Sequence, residues 1–534
     1  MVALPSLVSG VGLALSLPPW GFWIIAFPAA GLLWWRIGGL RPRTRLWAGW
    51  LAGLGCYVPG LVWVRSFTAP GAVVLIAIEA AFMAAACLVV PAGPTVARAM
   101  AFPAAMTLAE AVRTSWPFGG LPIGGVFLGQ ADGPLLGIAR LGGPLSLNLA
   151  VFVGGVGLAA AVEAAVRTAR DGVRARAFAT VDAAPPAGSG HGGRPGFVSG
   201  AFAGAGTLTL VAAVAVVGLS GVAVAADHAP DGGPAVGVVS AAAIQGGGPR
   251  GFRTSPIHTS AVLAAQMSAT ATMEQLDHGT TPRLVLWPED VVALDTPLSD
   301  SPEEASLSDL ARTLHTTLVV GVTETVSSTA FRNEVVAFGP DGALVSRFEK
   351  VHRVPFGEYV PYRSFFAHLG NLSAVPLDAV PGTGTGLLPT PAAPLGAMIS
   401  YEIFYADRGR PSVRAGAQLL IVPTNTSSYA TSQVPTQEIA AAKVQAVQLG
   451  RDLLQAAPTG YSAAVTNRGV LLDRSVLGAR QVVFATLARR TGTTVYVRFG
   501  DVPVLVLSGL ALAGGWLLAG RRRRADVHRA DVQS

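Results

Sequence analysis

The sequence predicts an α-helical transmembrane bundle joined to an α/β sandwich domain, and three observations predict it. Of 534 residues 51% are hydrophobic and only 13% charged, with mean hydropathy +0.50. A soluble domain carries about 25% charge, so roughly half the usual charge is missing. The apolar residues gather into long runs before residue 230 and again near the C-terminus. Between them, from Ala235 onward, the pattern changes to short β-rich stretches separated by helices, which at this length reads as helix layers on sheet layers.

Seven apolar segments come first, at 5–18, 20–35, 46–64, 71–93, 96–112, 143–165 and 200–226. An eighth, Val502–Gly520, ends in Arg521-Arg522-Arg523-Arg524. A bilayer core of ~30 Å needs ~20 apolar residues, so the first two runs are short for it and either span or pair as a hairpin within the bundle. The N-terminus has neither the basic start nor the small-residue cleavage site of a removable signal and reads as retained. Basic loops at Arg36–Arg45 and Arg167–Arg194, with the terminal arginine run, fall on one side of an eight-span topology with an inside N-terminus. By the positive-inside rule that side is cytoplasmic. The chain then divides into a bundle at 1–228, an extracytoplasmic domain at 229–500, and a last span with a basic cytoplasmic tail at 501–534. Ala183–Pro195, rich in Ala, Gly and Pro, reads as a flexible cytoplasmic linker. Glu79 within the fourth run asks for a partner or a function; Glu110, Arg113 and Asp132 flank the fifth run and the loop Trp116–Pro122 and read as interfacial helix ends.

The formal charge of +7 invites a nucleic-acid reading, but the arginines lie beside apolar runs rather than on one basic face. Topology accounts for them, and no nucleic-acid partner is expected. Cys56 and Cys87 both lie in apolar runs, so the polar half has no disulfide and no CxxC metal site. Only two of the 38 basic residues are lysines, Lys350 and Lys443. A compact ammonium is not interchangeable with a planar guanidinium, which singles out Lys350 inside a motif.

In the polar half, strands are expected at Ala235–Val239, Arg283–Leu286, Thr317–Val322, Glu334–Phe338, Ala343–Phe348, Leu395–Ser400 and Gln418–Val422. Gly339-Pro-Asp-Gly342 is a hairpin turn between two of them. Ile439, Val444, Val447 and Leu454 predict a helix over Thr436–Leu454, and later strands are expected at Ala463–Leu471, Gln481–Leu487 and Thr493–Phe499.

Glu289, Lys350 and Ser400 each follow an expected strand, so one sheet edge could gather all three. A carboxylate, a nucleophile and an ammonium together suit acyl transfer: the base takes a proton, the nucleophile attacks a carbonyl, and the cation steadies the oxyanion. Spacing alone fits equally well a helix-start carboxylate, a surface lysine and a strand-end cap. His352 would share a strand face with Lys350 and reads as structural or interfacial.

The motifs resolve that choice. Phe348-Glu-Lys-Val-His-Arg-Val-Pro-Phe-Gly-Glu-Tyr-Val-Pro361, Trp287-Pro-Glu289 and Tyr401-Glu402, with weaker matches at Glu110–Arg113 and Gln448–Arg451, resemble the apolipoprotein N-acyltransferases over nearly the whole chain. These are membrane enzymes built on a nitrilase-like αββα sandwich. The resemblance implies that Glu289 is the general base, Lys350 the oxyanion stabiliser and Glu358 the supporting acid, with Tyr401 and Glu402 lining the nucleophile turn. It implies transfer of an acyl chain from a phospholipid, through a covalent acyl-enzyme, to the α-amine of a diacylglyceryl-modified cysteine on a lipoprotein, with no cofactor and no metal. The family's nucleophilic cysteine is Ser400 here, Gln445 stands where the family tends to place arginine, and Ile244–Gly248 is only loosely alike. The competing reading is an accessory homologue that binds lipid or lipoprotein or anchors a partner. Some actinobacterial relatives associate with a polyprenyl-phosphate mannose synthase, and the Arg-, Ala- and Gly-rich composition suits such a source. A membrane-tethered amidase is a third reading, disfavoured by the eight expected spans.

Overall fold

The structure is a computed structural model that describes residues 3–66, 69–181, 198–248, 259–276, 281–368, 372, 375–429 and 432–533. The expected linker Ala183–Pro195 lies outside them. The chain forms two compact units, one of Met1–Val112, Leu147–Ala225 and Val504–Ser534, the other of Arg113–Ser146 and Ala226–Pro503. The second unit therefore includes Arg113–Ser146, which the division at residue 228 assigned to the bundle.

The first unit is helical. Its helices are α1 (Ala3–Ser16), α2 (Ala26–Ile37), α3 (Pro42–Leu61), α4 (Ala69–Val89), α5 (Thr95–Arg113), α6 (Ala139–Val181) and α7 (Val198–His228), with a closing helix Val502–Gln533. One helix thus lies on each expected apolar run. Five stretches among the described residues are long and apolar enough to cross a membrane: Pro42–Ser66, Ala69–Val89, Leu136–Arg174, Ala205–His228 and Val502–Arg522. The first two helices are shorter, and α5 carries Arg98, Glu110 and Arg113. Small residues let the backbones approach: a Cβ on Gly53 of α3 would meet Ala80 of α4 at 2.5 Å, and one on Gly10 of α1 would fall 1.9 Å from the Ala52 carbonyl. Close packing through glycine and alanine substitutes for the hydrophobic drive that lipid does not supply. Cys56 and Cys87 are buried there and form no disulfide.

The second unit is a four-layer sandwich. Its strands are β1 (Ala235–Gln245), β2 (Leu284–Leu286), β3 (Val292–Leu294), β4 (Thr317–Ser327), β5 (Ala330–Phe338), β6 (Leu344–Glu349), β7 (Asp378–Ala379), β8 (Leu387–Leu388), β9 (Leu395–Ala397), β10 (Leu419–Pro423), β11 (Leu453–Ala456), β12 (Ala463–Val465), β13 (Leu471–Arg474) and β14 (Gln481–Arg490). One sheet runs β14-β1-β2-β4-β5-β6, with β3 beside β4 and β7 beside β5; the other runs β13-β12-β11-β10-β9-β8. Its helices are α8 (Thr259–Leu276), α9 (Pro302–Thr313), α10 (Arg363–Phe366), α11 (Arg410–Arg414), α12 (Val434–Leu449) and α13 (Val495–Phe499).

Strand alternation builds the layers. Ala241, Ala243, Leu284, Leu286, Val319 and Val335 pack inward against Leu395, Ala397, Leu419, Ile421 and Leu454 of the other sheet. Ala242, Ile244, Val285, Leu318 and Val320 face the opposite way, onto Ala269 and Met273 of α8 and Leu307 and Ala311 of α9. The hairpin turn forms as expected, with Gly342 at φ 82° and the Gly339 N–H bonded to the Ala343 carbonyl at 2.8 Å.

Three expected elements differ. Thr493–Phe499 is not a strand, because the Thr494 hydroxyl caps α13 by accepting from the Val497 N–H. The helix expected over Thr436–Leu454 stops at Leu449, where Gly450 takes the left-handed conformation (φ 65°), and Leu454 belongs to β11. Ala463–Leu471 holds all of β12 and the first residue of β13, with Gly469 (φ 78°) in the turn between them.

Gly321 on β4 is the tightest point behind Glu289: a Cβ there would meet the Pro288 carbonyl at 2.3 Å and Glu289 Cα at 2.5 Å. Gly321→Ala is expected to destabilise the unit by about 1–3 kcal/mol through overpacking, read as a fall in chemical-denaturation midpoint at unchanged slope.

Candidate active site

Parallel pairing of β1, β2 and β4, and of β9, β10 and β11, gives each sheet a set of aligned strand ends. Such ends are where open α/β sheets place their chemistry. After β2 the chain turns through Trp287-Pro288-Glu289, fixed by the Trp287 N–H on the Val319 carbonyl (2.8 Å) and the buried indole N–H on Thr270 Oγ1 (3.1 Å). Lys350 follows β6, and its N–H bonds to the Asn333 carbonyl of β5 at 2.8 Å, so the antiparallel ladder itself sets Asn333 beside the lysine.

These elements converge on one cluster. Lys350 Nζ donates to Glu289 Oε1 and to Glu358 Oε1, each at 2.8 Å. Asn333 Nδ2 donates to the same two oxygens at 2.9 and 3.0 Å, and Glu358 Oε2 accepts from the Val354 N–H at 2.8 Å. The Lys350 and Glu289 side chains are 2% and 6% exposed, so the charges meet away from water. Burial pushes Glu289 up; the ammonium opposes the shift and the Glu358 carboxylate adds to it. Burial alone would pull Lys350 down, but the two carboxylates outweigh it and hold the ammonium charged above its ordinary range. Burial is thus the main reason a proton is held more tightly on Glu289, and the second carboxylate adds to it.

Ser400 opens a single helical turn, Ser400–Phe404, after β9. Its backbone is left-handed at φ 51° and the residue is 8% exposed. That conformation costs a non-glycine residue about 1–3 kcal/mol and persists only where neighbours over-determine it. Glu402, fully buried, supplies the constraint. Its Oε2 accepts from the Ile399 N–H at 2.8 Å; its Oε1 accepts from the Val351 and His352 N–H groups at 2.8 and 3.0 Å and lies 3.2 Å from Arg408 Nε. The lysine turn of one sheet and the serine turn of the other are thereby tied through one carboxylate.

The structure corrects the expectation that one sheet edge gathers Glu289, Lys350 and Ser400. Glu289 and Lys350 lie at the ends of strands in the first sheet and Ser400 at the end of a strand in the second, so no single sheet edge gathers them. Glu402 faces the protein interior as an anchor. Tyr401 and Tyr405 both donate their hydroxyls to the Gly120 carbonyl at 3.2 Å, which brings the loop Trp116–Pro122 to the serine turn. Arg113 holds that loop through the Leu121 and Ile123 carbonyls. His352 lies outside any strand and stacks on Tyr405 at 4.0 Å, and burial pushes its pKa down. Lys443 pairs with Asp132. Gln445 donates to the Ile403 and Tyr405 carbonyls at 2.8 Å, supporting the serine turn from α12.

Two residues escaped the sequence reading. Asn333 lies in a strand whose alternation marks only its apolar neighbours. Glu438 lies on α12, 1% exposed, with Oε1 accepting from the Thr424 hydroxyl at 2.6 Å just past the end of β10. Burial pushes its pKa up to about 8, the Thr424 bond and Lys350 opposing and Glu289 adding to the shift. A carboxylate between two positions of an apolar helix face was the available signal. Among the described residues no group of three or more His, Cys, Asp or Glu side chains is placed to hold a metal.

This geometry and the bundle before it define a membrane-anchored carbon–nitrogen hydrolase. Residues 260–496 match the carbon-nitrogen hydrolase family, and residues 9–157 match the apolipoprotein N-acyltransferase N-terminal domain. With the two in this order, the chain belongs to the apolipoprotein N-acyltransferase family. It is 29% identical to the apolipoprotein N-acyltransferase of Mycolicibacterium smegmatis, over 94% of this chain and 83% of that one. It is 24% identical to that of Shewanella oneidensis, over 96% of this chain and 94% of that one. A Saccharomyces cerevisiae member of branch 10 of the nitrilase superfamily superposes with TM-score 0.36 and 20% identity, covering 48% of this chain and 91% of that one.

Because the folded state binds the Glu438 proton more tightly than the unfolded chain, its contribution is complete below about 4.5 and is lost as pH rises to about 8. Glu438→Gln is expected to match the wild type in melting temperature near pH 4.5 and to exceed it increasingly toward pH 8. Parallel melting curves at the two pH values check this.

Proposed function

We propose that the chain transfers an acyl chain from a phospholipid to the N-terminal amine of a diacylglyceryl-cysteine lipoprotein, with Ser400 as nucleophile. The observation that carries the reading is the buried Glu289–Lys350–Glu358–Asn333 cluster tied by Glu402 to a strained serine turn. Glu289 takes the Ser400 proton as Oγ attacks the ester carbonyl. Lys350 faces the oxyanion. The carbonyl–oxygen bond to the glycerol breaks, the lysophospholipid leaves with the proton from Glu289, and an oxyester remains on Ser400. The acceptor amine then attacks that ester; an amide forms and Oγ recovers a proton.

A hydroxyl is a weaker acid than a thiol, whose pKa is about 8.5. The shift that burial and the second carboxylate impose on Glu289 acts in the needed direction, because a raised carboxylate is a stronger base. Lipid-anchored donor and acceptor both suit a chain with several apolar helices. The basic loops and the arginine run support a hydrolase unit on the extracytoplasmic face and a C-terminus in the cytoplasm.

Ser400 also supports the accessory reading, in which the unit binds lipid or anchors a partner without turnover. One experiment separates the two. Purified full-length protein in phospholipid nanodiscs with a diacylated lipopeptide is expected to yield triacylated product and an acyl adduct on Ser400 by mass spectrometry. Ser400→Ala is expected to abolish both, and Lys350→Met to slow product formation by about 10²–10³-fold. A wild type that makes no product while Ser400→Cys does sinks the serine mechanism.

A further inference from the structure

Glu438 is a buried acid at these strand ends that neither anchors a turn nor enters the proposed steps. It stands next to the reacting groups by topology. β9 and β10 are parallel neighbours, and the pairing runs on past β9 through the Met398 N–H on the Ile421 carbonyl at 3.1 Å. Ser400 and Thr424 therefore leave adjacent strand ends, and Glu438 is bonded to Thr424. Its electrostatic partners are Glu289 and Lys350. Farther along α12 the one lysine, Lys443, is already paired with Asp132.

The second carboxylate oxygen is the informative atom. Glu438 Oε2 is buried with no hydrogen-bond partner, and so is Thr426 Oγ1, two residues beyond Thr424. The two residues are 1% and 2% exposed. A buried unmet acceptor costs about 1–3 kcal/mol, and a carboxylate is worse served than a hydroxyl. Lys350 is already bonded to Glu289 and Glu358, so Glu438 adds a third carboxylate within electrostatic reach of a single ammonium. What is missing is positive charge with several donors on one small atom. An alkylammonium supplies that.

We propose that Glu438, with Thr426, forms the subsite that receives the acceptor's α-ammonium and takes its first proton. The identity of the amine rests on the acyl-transfer reading above. The ammonium binds Glu438 in its ionised form and passes one proton to it, leaving a neutral amine and a carboxylic acid. The nitrogen lone pair attacks the acyl carbonyl on Ser400. As the carbonyl–Oγ bond breaks, Glu289 carries the second amine proton to Oγ. Glu438 later loses its proton to solvent, so each transfer releases one proton and one amide.

The test compares binding of two probes to the full-length protein in nanodiscs: a synthetic diacylated lipopeptide with a free α-amine, and the same peptide N-acetylated. Wild type is expected to prefer the free amine by about tenfold or more, the value of one charge-assisted hydrogen bond. Glu438→Gln is expected to reduce the preference to about threefold or less. Thr424→Val, which keeps the carboxylate but frees it to reorient, is expected to lower it by a smaller factor; this variant decides the matter if Glu438→Gln does not fold. Equal binding of the two peptides by wild type overturns the proposal, as does a preference that survives in a folded Glu438→Gln protein. Mass spectrometry for the Ser400 adduct reads the other proposal separately. A preference for free amine without any adduct upholds this subsite and overturns the serine mechanism.

Discussion

Everything in the second unit answers to one requirement: keeping a single ammonium, Lys350, dry between two carboxylates. Taking three ions out of water costs several kcal/mol each, and their attraction repays that only when the remaining lone pairs and protons are also satisfied. The fold meets the condition with backbone that is already ordered. The β5–β6 ladder presents Asn333 to both carboxylates, and the turn after Lys350 returns the Val354 N–H to Glu358. Lysine is needed here because its compact head can bridge two oxygens at 2.8 Å each; a guanidinium would impose its planar fork on both. The surplus negative charge that results is not a defect of the arrangement. It adds to the burial that raises Glu289.

The second constraint is that two independent sheets must hold their strand ends in register. Sheet packing through alanine, valine and leucine fixes the spacing but not a particular atom. Glu402 does the finer work, taking N–H groups from Val351 and His352 on one side and Ile399 on the other. Arg408 keeps that carboxylate paired while lying over the Phe348 ring at 4.8 Å and donating to the Gly384 carbonyl, so the tie is itself braced on both sheets. Gln445 and Gln448 of α12 complete the support by capping the carbonyls of residues 403, 405 and 406.

How far the sequence was legible follows from the range of each signal. Apolar runs and alternation are local, so helices on the eight apolar runs, the hairpin at Gly339–Gly342 and most strands were readable. Thr493–Phe499 misled because a β-rich composition there is overridden by a side-chain cap from Thr494, which composition does not register. The motif residues Glu289, Lys350 and Glu358 could be named, but the assignment of Ser400 to another sheet could not, since parallel crossovers carry no local mark of which sheet they join. Asn333 and Glu438 were invisible for a related reason: their importance lies in partners 44 and 14 residues away. Tyr401 gave no hint of the Gly120 carbonyl, 281 positions earlier.

A serine occupies the strained turn that Glu402 ties to the lysine cluster. Serine keeps the left-handed backbone, the buried Glu402 anchor and the Lys350 trio, each of which costs stability that a simple lipid-binding surface has no reason to retain. A scaffold freed from turnover could relax the turn with glycine or fill the cluster with apolar side chains, a replacement that is often neutral or stabilising. The charged, strained arrangement instead persists around an oxygen. On the proposed reading, the weak acidity of a hydroxyl is offset, in direction, by the basicity that burial and a second carboxylate give Glu289. The site therefore sets a carboxylate raised by burial beside an ammonium held charged.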